Sequence, residues 1–207
     1  MSSLKQAKTQ LRRQIKESLR AISQESLQTQ SNDIHKKLLG HPVFQKATKI
    51  ALYMNMPDSE VKTDAIIHSC YQMGKQVYLP RCKTEVVEGR KNCHLVMLRV
   101  PSYEDVKALK PQGKYQLLEP IEGVDAMDEG DLDVVIVPGV VFSTTKQRMG
   151  HGAGFYDEFI KFYNSKHNRR PYLIGLGLHQ QFVNSLPTEE HDWDLDSLVI
   201  SGHDIVY

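Results

Sequence analysis

Three glycines at alternate positions, Gly150, Gly152 and Gly154, mark the part of the sequence best suited to chemistry. They follow a β-branched apolar run at 133–137 and a polar loop, and they precede a segment with helical spacing. Glycines let backbone N–H groups approach phosphate oxygens, and the N-terminus of the next helix adds a partial positive charge. The sequence therefore predicts an anion site here, most simply for the phosphates of a nucleotide.

This glycine pattern matches neither of two common phosphate-binding motifs. No GxxxxGK[ST] sequence occurs, and GHGAGF lacks the spacing of the dinucleotide fingerprint GxGxxG. Lys146 and Arg148, just before the glycines, could add full positive charges. Glycines can also simply shape a tight loop, so the pattern alone leaves both interpretations open.

The composition is that of an ordinary globular protein, with 40% hydrophobic and 25% charged residues in a chain of 207. The longest apolar run, at 134–142, is interrupted by Pro138 and Gly139 and is too short for a membrane span, which needs about 20 residues. Three cysteines without CxxC spacing argue against a zinc finger or a disulfide framework and fit a reducing compartment. We expect no membrane partner.

Charge is distributed unevenly along the chain. The net charge is only +1, which argues against a nucleic-acid partner, yet residues 1–49 contain ten Lys and Arg against three Asp and Glu. Residues 185–207 contain six acidic residues and no Lys or Arg. The basic segment suggests an anionic ligand and the acidic one could supply metal ligands, although both could also be solvated faces.

Helical and strand patterns alternate along the chain. Helices are predicted at 4–22, 24–39, 63–73, 102–109 and 154–162, strands at 49–54, 76–79, 95–100, 133–137, 172–178 and 197–200, and a loop at 83–93. This alternation predicts an α/β class: one layered domain over 1–207 with a mostly parallel central sheet and helices on both faces. The basic amphipathic N-terminus also resembles a mitochondrial transit peptide, so a mitochondrial location is the alternative to the cytoplasmic one we expect.

The segment 133–159 resembles the signature of the 5-formyltetrahydrofolate cyclo-ligases, also called methenyltetrahydrofolate synthetases. That signature is a strand, then PG-x-x-F-D, a loop, and R-x-G-x-G-x-G-Y-Y-D. The residues that match it are Pro138, Gly139, Phe142, Arg148, Gly150, Gly152, Gly154, Tyr156 and Asp157. Other family elements match in order, over nearly the whole chain, at Lys8, Arg12, Met54, Glu60, Val61, Thr63, Leu79, Pro80, Arg81, Tyr115, Glu119, Pro120, His191 and Asp192.

The resemblance implies ATP-dependent cyclisation of 5-formyltetrahydrofolate to 5,10-methenyltetrahydrofolate, with release of ADP and phosphate and with Mg2+ as cofactor. It also implies that ATP phosphorylates the formyl oxygen and that N10 then attacks the activated carbon. Such chemistry needs positioning and charge stabilisation more than covalent help from the protein. We expect a cytoplasmic monomer that acts on these two small molecules.

The resemblance also assigns the site residues. For ATP they are Lys8, Arg12, Arg148, Met149, Gly150, His151, Gly152, Ala153, Gly154, Phe155 and Tyr156. For the folate they are Met54, Glu60, His151, Gly152, Ala153, Gly154 and Phe155, and for the metal Asp157 and Asp192. Lys8 and Arg12 are one helical turn apart, so both can point at one phosphate chain, and cleavage of a transit peptide would remove them.

Three positions depart from the family pattern. Ser143 stands where the family usually has Asp, His151 where it often has Arg, and Ala153 where it often has Lys. Because an imidazole is mostly neutral at physiological pH, the loop has up to two fewer positive charges. These departures keep open an alternative, a catalytically weakened folate- or nucleotide-binding protein derived from this family. A phosphate- or nucleic-acid-binding module is a third interpretation, but no recognised RNA-binding motif supports it.

Overall fold

The alternating pattern of the sequence is realised as helices and strands in the computed structural model, which describes residues 3–56, 59–112, 116–187 and 193–207. Its helices are α1 (Ser3–Arg20), α2 (Gln24–Leu39), α3 (Pro42–Lys46), α4 (Asp64–Gln72), α5 (Tyr103–Lys107), α6 (Ala126–Glu129) and α7 (Phe155–His167), with a 3-10 turn at His179–Gln181. Its strands are β1 (Lys49–Ala51), β2 (Gln76–Thr84), β3 (Cys93–Val100), β4 (Pro111–Gln112), β5 (Leu117–Leu118), β6 (Val134–Val137), β7 (Val141–Ser143), β8 (Arg148–Met149), β9 (Tyr172–Gly177), β10 (Phe182–Val183) and β11 (Ser197–Ile200).

Six strands form the central sheet, in the order β11-β9-β6-β1-β2-β3. All neighbours in it are parallel except β3, which pairs antiparallel with β2 at one edge. The predicted α/β class with a mostly parallel sheet is therefore confirmed. Parallel strands end at the same edge of a sheet, so the loops after β1, β2 and β6 meet there.

Helices cover both faces of this sheet, and β6 shows why. Val134 and Ile136 pack into a hydrophobic cluster that includes residues of α1, α2 and α4. Val135 and Val137 point the other way and pack with the buried face of α7. Because successive side chains of a strand alternate between faces, a strand that is apolar throughout must be buried on both sides.

The second strand is longer than its sequence predicts. Pro80 was expected to end it, yet β2 continues to Thr84 and Pro80 lies opposite Met97 of β3. Along its other side β2 pairs with β1 only as far as Tyr78. Beyond Tyr78, no described strand pairs with this edge of β2. Pro80, which has no backbone N–H group, is therefore tolerated there.

A small second sheet was not foreseen in the sequence. Strands β10, β7 and β8 form it, with β7 and β8 paired as a hairpin. The buried Ser143 hydroxyl lies 2.9 Å from the Thr145 hydroxyl and accepts a hydrogen bond from the Gln147 backbone N–H. Ser143 therefore stabilises the turn that presents Arg148 on β8.

Cys70, Cys82 and Cys93 are all free thiols. Among the described residues, no helix is both long enough and apolar enough to cross a membrane.

Candidate active site

A large cleft lies beyond the carboxyl ends of β1, β2 and β6, with a volume of about 1520 Å³. Its wall is completed by α1, the segment after β1, the loop at 150–154 and the start of α7. The predicted ATP and folate residues, together with one predicted metal ligand, all line it: Lys8, Arg12, Met54, Glu60, Arg148, Met149, Gly150, His151, Gly152, Ala153, Gly154, Phe155, Tyr156 and Asp157. The structure thus brings residues from distant parts of the chain into one site.

The basic face of α1 lies against the glycine loop. Arg12 donates a hydrogen bond from Nε to the Gly150 carbonyl oxygen at 2.8 Å, across 138 residues of sequence. Lys8, one turn earlier, is buried and lines the same cleft. The N-terminal helix therefore faces the site, as its Lys8 and Arg12 spacing predicts.

Two of the three loop glycines adopt left-handed backbone conformations. Gly152 has φ of 109° and Gly154 has φ of 69°, and Gly154 is the residue that immediately precedes α7. Residues with a Cβ atom rarely adopt these angles. Glycine is thus required for the loop shape, and that shape aims the backbone and the N-terminus of α7 into the cleft.

Arg148 and Asp157 form an ion pair that the sequence did not suggest. Arg148 donates from Nη2 to Asp157 Oδ2 at 2.7 Å and from Nη1 to the Pro138 carbonyl oxygen at 3.2 Å. The Arg148 side chain is only 5% exposed, so this arginine bridges the end of β6 and the first turn of α7 beneath the loop. It positions Asp157 as well as contributing charge to the cleft.

The donor set at this position suits a magnesium ion bound together with a phosphate chain. Asp157 supplies a carboxylate that lines the cleft, and Mg2+ is usually held by one or two carboxylates plus phosphate oxygens. Its predicted partner, Asp192, lies outside the described residues, as do Tyr115 and His191. Among the residues that the structure describes, no group of three or more His, Cys, Asp and Glu could hold a metal by itself.

Glu60 lines the same cleft and is fixed by its neighbours. Its Oε2 atom accepts a hydrogen bond from the Met56 backbone N–H at 2.8 Å. Its Oε1 atom lies 3.7 Å from Nε2 of His151. Burial raises the pKa of the Tyr53 and Tyr156 phenols, and the negative charge of Glu60 raises it further. Both tyrosines therefore stay protonated, and their hydroxyls remain hydrogen-bond donors near the carboxylate.

Sequence reasoning missed one part of the cleft. The predicted loop at 83–93 gave no pattern, yet Arg90, Lys91 and Cys93 line the cleft from that side. The only available signal was the pair of basic residues in an otherwise polar segment. Arg81, which matches a family element, donates a hydrogen bond from Nη1 to the Pro120 carbonyl oxygen at 3.1 Å.

A sequence model of the 5-formyltetrahydrofolate cyclo-ligase family matches residues 4–201. The chain belongs to that family. It is 39% identical to the 5-formyltetrahydrofolate cyclo-ligase of Saccharomyces cerevisiae, an alignment that covers 91% of this chain and 92% of the yeast protein. It is 31% identical to the Mus musculus protein of the same name, with 93% of each chain covered.

A solved structure agrees with the family. The NMR structure of the 5,10-methenyltetrahydrofolate synthetase of Aquifex aeolicus superposes with a TM-score of 0.74 at 27% identity, covering 95% of this chain and 90% of that one. The resemblance found in the sequence and the fold class are both confirmed. The assignment of individual residues to ATP, folate and metal stays a prediction.

Proposed function

We propose that this cleft performs the ATP-dependent cyclisation of 5-formyltetrahydrofolate to 5,10-methenyltetrahydrofolate, with release of ADP and phosphate. The observation that carries this proposal is the convergence of two chemically different groups of residues in one cleft. One group is cationic and comprises Lys8, Arg12 and the glycine loop, and the other comprises Met54 and Glu60. A reaction that joins a phosphate donor to a folate needs both groups within reach of each other.

The cationic group of residues suits the triphosphate of ATP. Arg12 already donates to the loop at Gly150, and Lys8 enters the same cleft from one turn earlier on α1. The loop glycines leave space for phosphate oxygens, and the α7 N-terminus adds a favourable partial charge. Charge-assisted hydrogen bonds from such groups are about twice as strong as neutral ones.

The second group of residues suits the pterin ring of the folate. The Glu60 carboxylate can accept hydrogen bonds from an aminopyrimidine edge, and the Met56 N–H that holds Oε2 fixes its orientation. Met54 and Phe155 contribute apolar surface to the same cleft. His151 connects the two groups, because it belongs to the glycine loop and its Nε2 atom lies 3.7 Å from Glu60 Oε1.

The resemblance to the family implies the order of chemical steps, and this placement of residues can accommodate them. The formyl oxygen attacks the γ-phosphorus of ATP and ADP leaves, which forms a formyl phosphate-type intermediate on the folate. N10 then attacks the formyl carbon and closes the five-membered ring, its proton passes to solvent, and phosphate leaves with the former formyl oxygen. The protein supplies alignment and positive charge around the transferring group, and no side chain acts as a covalent nucleophile.

Asp157 and Asp192 are the residues that we propose for Mg2+. Bound Mg2+ would offset part of the charge of the triphosphate. The support for Asp157 is its place in the cleft and its ion pair with Arg148, which holds the carboxylate at the first turn of α7. The support for Asp192 is its match to the family pattern.

We further propose one domain over 1–207 that works as a cytoplasmic monomer, without a nucleic-acid or membrane partner. The match of the family over residues 4–201 supports the single domain. A relative in Arabidopsis thaliana is named as mitochondrial, which makes the mitochondrion the alternative location to test.

The test is direct. Purified protein is mixed with 5-formyltetrahydrofolate, ATP and Mg2+, and the absorbance of the methenyl product is followed against mixtures that lack one component. We expect product only in the complete mixture. The protein could instead bind both ligands in calorimetry yet form no product under conditions where a control cyclo-ligase does. That result would support the alternative, a catalytically weakened binding protein, which His151 and Ala153 suggested.

A further inference from the structure

The connection between β2 and β3 reaches across the cleft to the glycine loop. Lys91, near the end of this connection, donates a hydrogen bond from Nζ to the Ala153 carbonyl oxygen at 3.3 Å. Its ammonium also lies against Gly154, since a Cβ atom added to that glycine would be 3.4 Å from Nζ. A cation from 62 residues away is thus held at one end of the loop.

The residues on either side of Lys91 are fixed. Arg90 makes a two-pronged ion pair with Glu158 of α7, with N···O distances of 2.9 and 2.7 Å and side chains only 3% and 12% exposed. Arg90 also donates to the Leu95 carbonyl oxygen, and the Asn92 carbonyl oxygen accepts a hydrogen bond from the Glu85 backbone N–H at 3.0 Å. Because both neighbours are anchored, the Lys91 side chain starts from a defined point beside the loop.

The Lys91 ammonium has no anionic partner among the residues that the structure describes. The two acidic residues in the first turn of α7 are already paired, Asp157 with Arg148 and Glu158 with Arg90. A cation beside a helix N-terminus is electrostatically unfavourable unless an anion lies between them. The position of Lys91 is therefore suited to a ligand that brings negative charge.

We propose that Lys91 is a phosphate contact of the ATP site, in addition to Lys8 and Arg12. It mirrors Arg12, because each cation donates to a carbonyl at one end of the loop, Arg12 at Gly150 and Lys91 at Ala153. Lys91 supplies a permanent positive charge to a loop whose residues 150–154 include no Lys or Arg. This inference rests on the proposed function, which places the triphosphate at the glycine loop.

The test compares Lys91→Gln with Lys83→Gln. Lys83 belongs to the same hairpin and is half-exposed, but it pairs with Glu85 at 3.6 Å and is not part of the cleft wall. Binding of ATP with Mg2+ is measured by calorimetry, and KM is measured for ATP and for 5-formyltetrahydrofolate. Lys91→Gln should weaken ATP about 5- to 20-fold, less than a fully buried contact would because the ammonium is exposed to solvent.

The remaining variants separate this role from a structural one. Lys91→Arg should restore most of the ATP affinity, and both glutamine variants should keep the wild-type melting temperature and folate KM within about twofold. Equal ATP affinity in Lys91→Gln and wild type would overturn the inference alone. A rise in folate KM instead would also overturn it, because the ammonium would then serve the folate carboxylates. Absence of ATP binding by the wild type would overturn the proposed function and this inference together.

Discussion

Replacement of Arg12 by alanine tests whether the N-terminal helix serves the site. The guanidinium is half-buried, donates to the Gly150 carbonyl oxygen at 2.8 Å and lies near Gly152. A hydrogen bond to a charged group contributes about 1.5–3 kcal/mol, so Arg12→Ala should weaken ATP binding roughly 10- to 100-fold. The effect on folate affinity should stay below about threefold, because the proposed pterin contact, Glu60, belongs to a different segment of the cleft wall.

The adjacent residue provides a matched control. Arg13 is on the same helix, but its side chain is 77% exposed and pairs with Glu17 at 3.6 Å. An exposed pair of this kind contributes about 0–1 kcal/mol to stability, and its removal should not change ATP binding. Both variants lose the same charge, so the difference between them isolates the position of the guanidinium from the net charge of the chain.

The assay is calorimetric titration of each variant with a non-hydrolysable ATP analogue and Mg2+, with thermal unfolding measured in parallel. Equal affinities in Arg12→Ala, Arg13→Ala and wild type would refute the reasoning, and the basic face of α1 would then be only a solvated face. A large fall in melting temperature for Arg12→Ala alone would show that the guanidinium mainly holds the loop at Gly150. In that case a variant that recovers stability, such as Arg12→Lys, should recover ATP affinity as well.

Three further predictions follow from the same geometry. Asp157→Asn should raise the Mg2+ concentration needed for half-maximal product formation, and an unchanged Mg2+ titration would assign Asp157 a structural role only. Gly154→Ala and Gly74→Ala both place a Cβ on a left-handed residue, at φ of 69° and 70°, and should each cost roughly 1 kcal/mol of stability. Only Gly154→Ala should also raise the KM for ATP, and equal KM values in both variants would contradict the role of the loop. Partial burial raises the pKa of Asp133, but donors just before and at the start of β1 more than offset it, so the pKa lies below its ordinary value. Its ionised form therefore stabilises the fold above the unfolded pKa, and this stabilisation is lost as pH falls through the folded pKa. Asp133→Asn should lower the unfolding free energy by about 1 kcal/mol at neutral pH and by nothing in strong acid, as measured by denaturation at several pH values.

The parts of the fold that sequence could predict are those decided by local pattern. Helix α2 begins and ends at its predicted residues, because Ser23 caps it and its apolar spacing is regular. The strands β6 and β11 were recognisable from continuous β-branched or aliphatic runs, since strands buried on both faces have no polar alternation. The spacing of Lys8 and Arg12 predicted which face of α1 lines the cleft.

The parts that sequence could not predict depend on pairing between distant segments. The ion pairs Arg148–Asp157 and Arg90–Glu158 join α7 to β8 and to the β2–β3 connection, and no local spacing indicates either of them. The hairpin at 141–149 was also missed, because its strands are two and three residues long and carry no measurable period. The site was therefore predicted as a set of residues but not as a network of contacts.

That network changes how the three departures from the family pattern are to be judged. Ser143 uses its hydroxyl within the hairpin turn and is buried away from solvent. His151 faces Glu60, and Ala153 offers a carbonyl oxygen to Lys91. Compared with the family pattern, the loop has up to two fewer positive charges. A triphosphate responds to charge in space, however, and the cations that line the cleft come from α1, β8 and the β2–β3 connection. Because a cation from another segment stands at Ala153, that departure gives no reason to favour a weakened binding protein over an active cyclo-ligase.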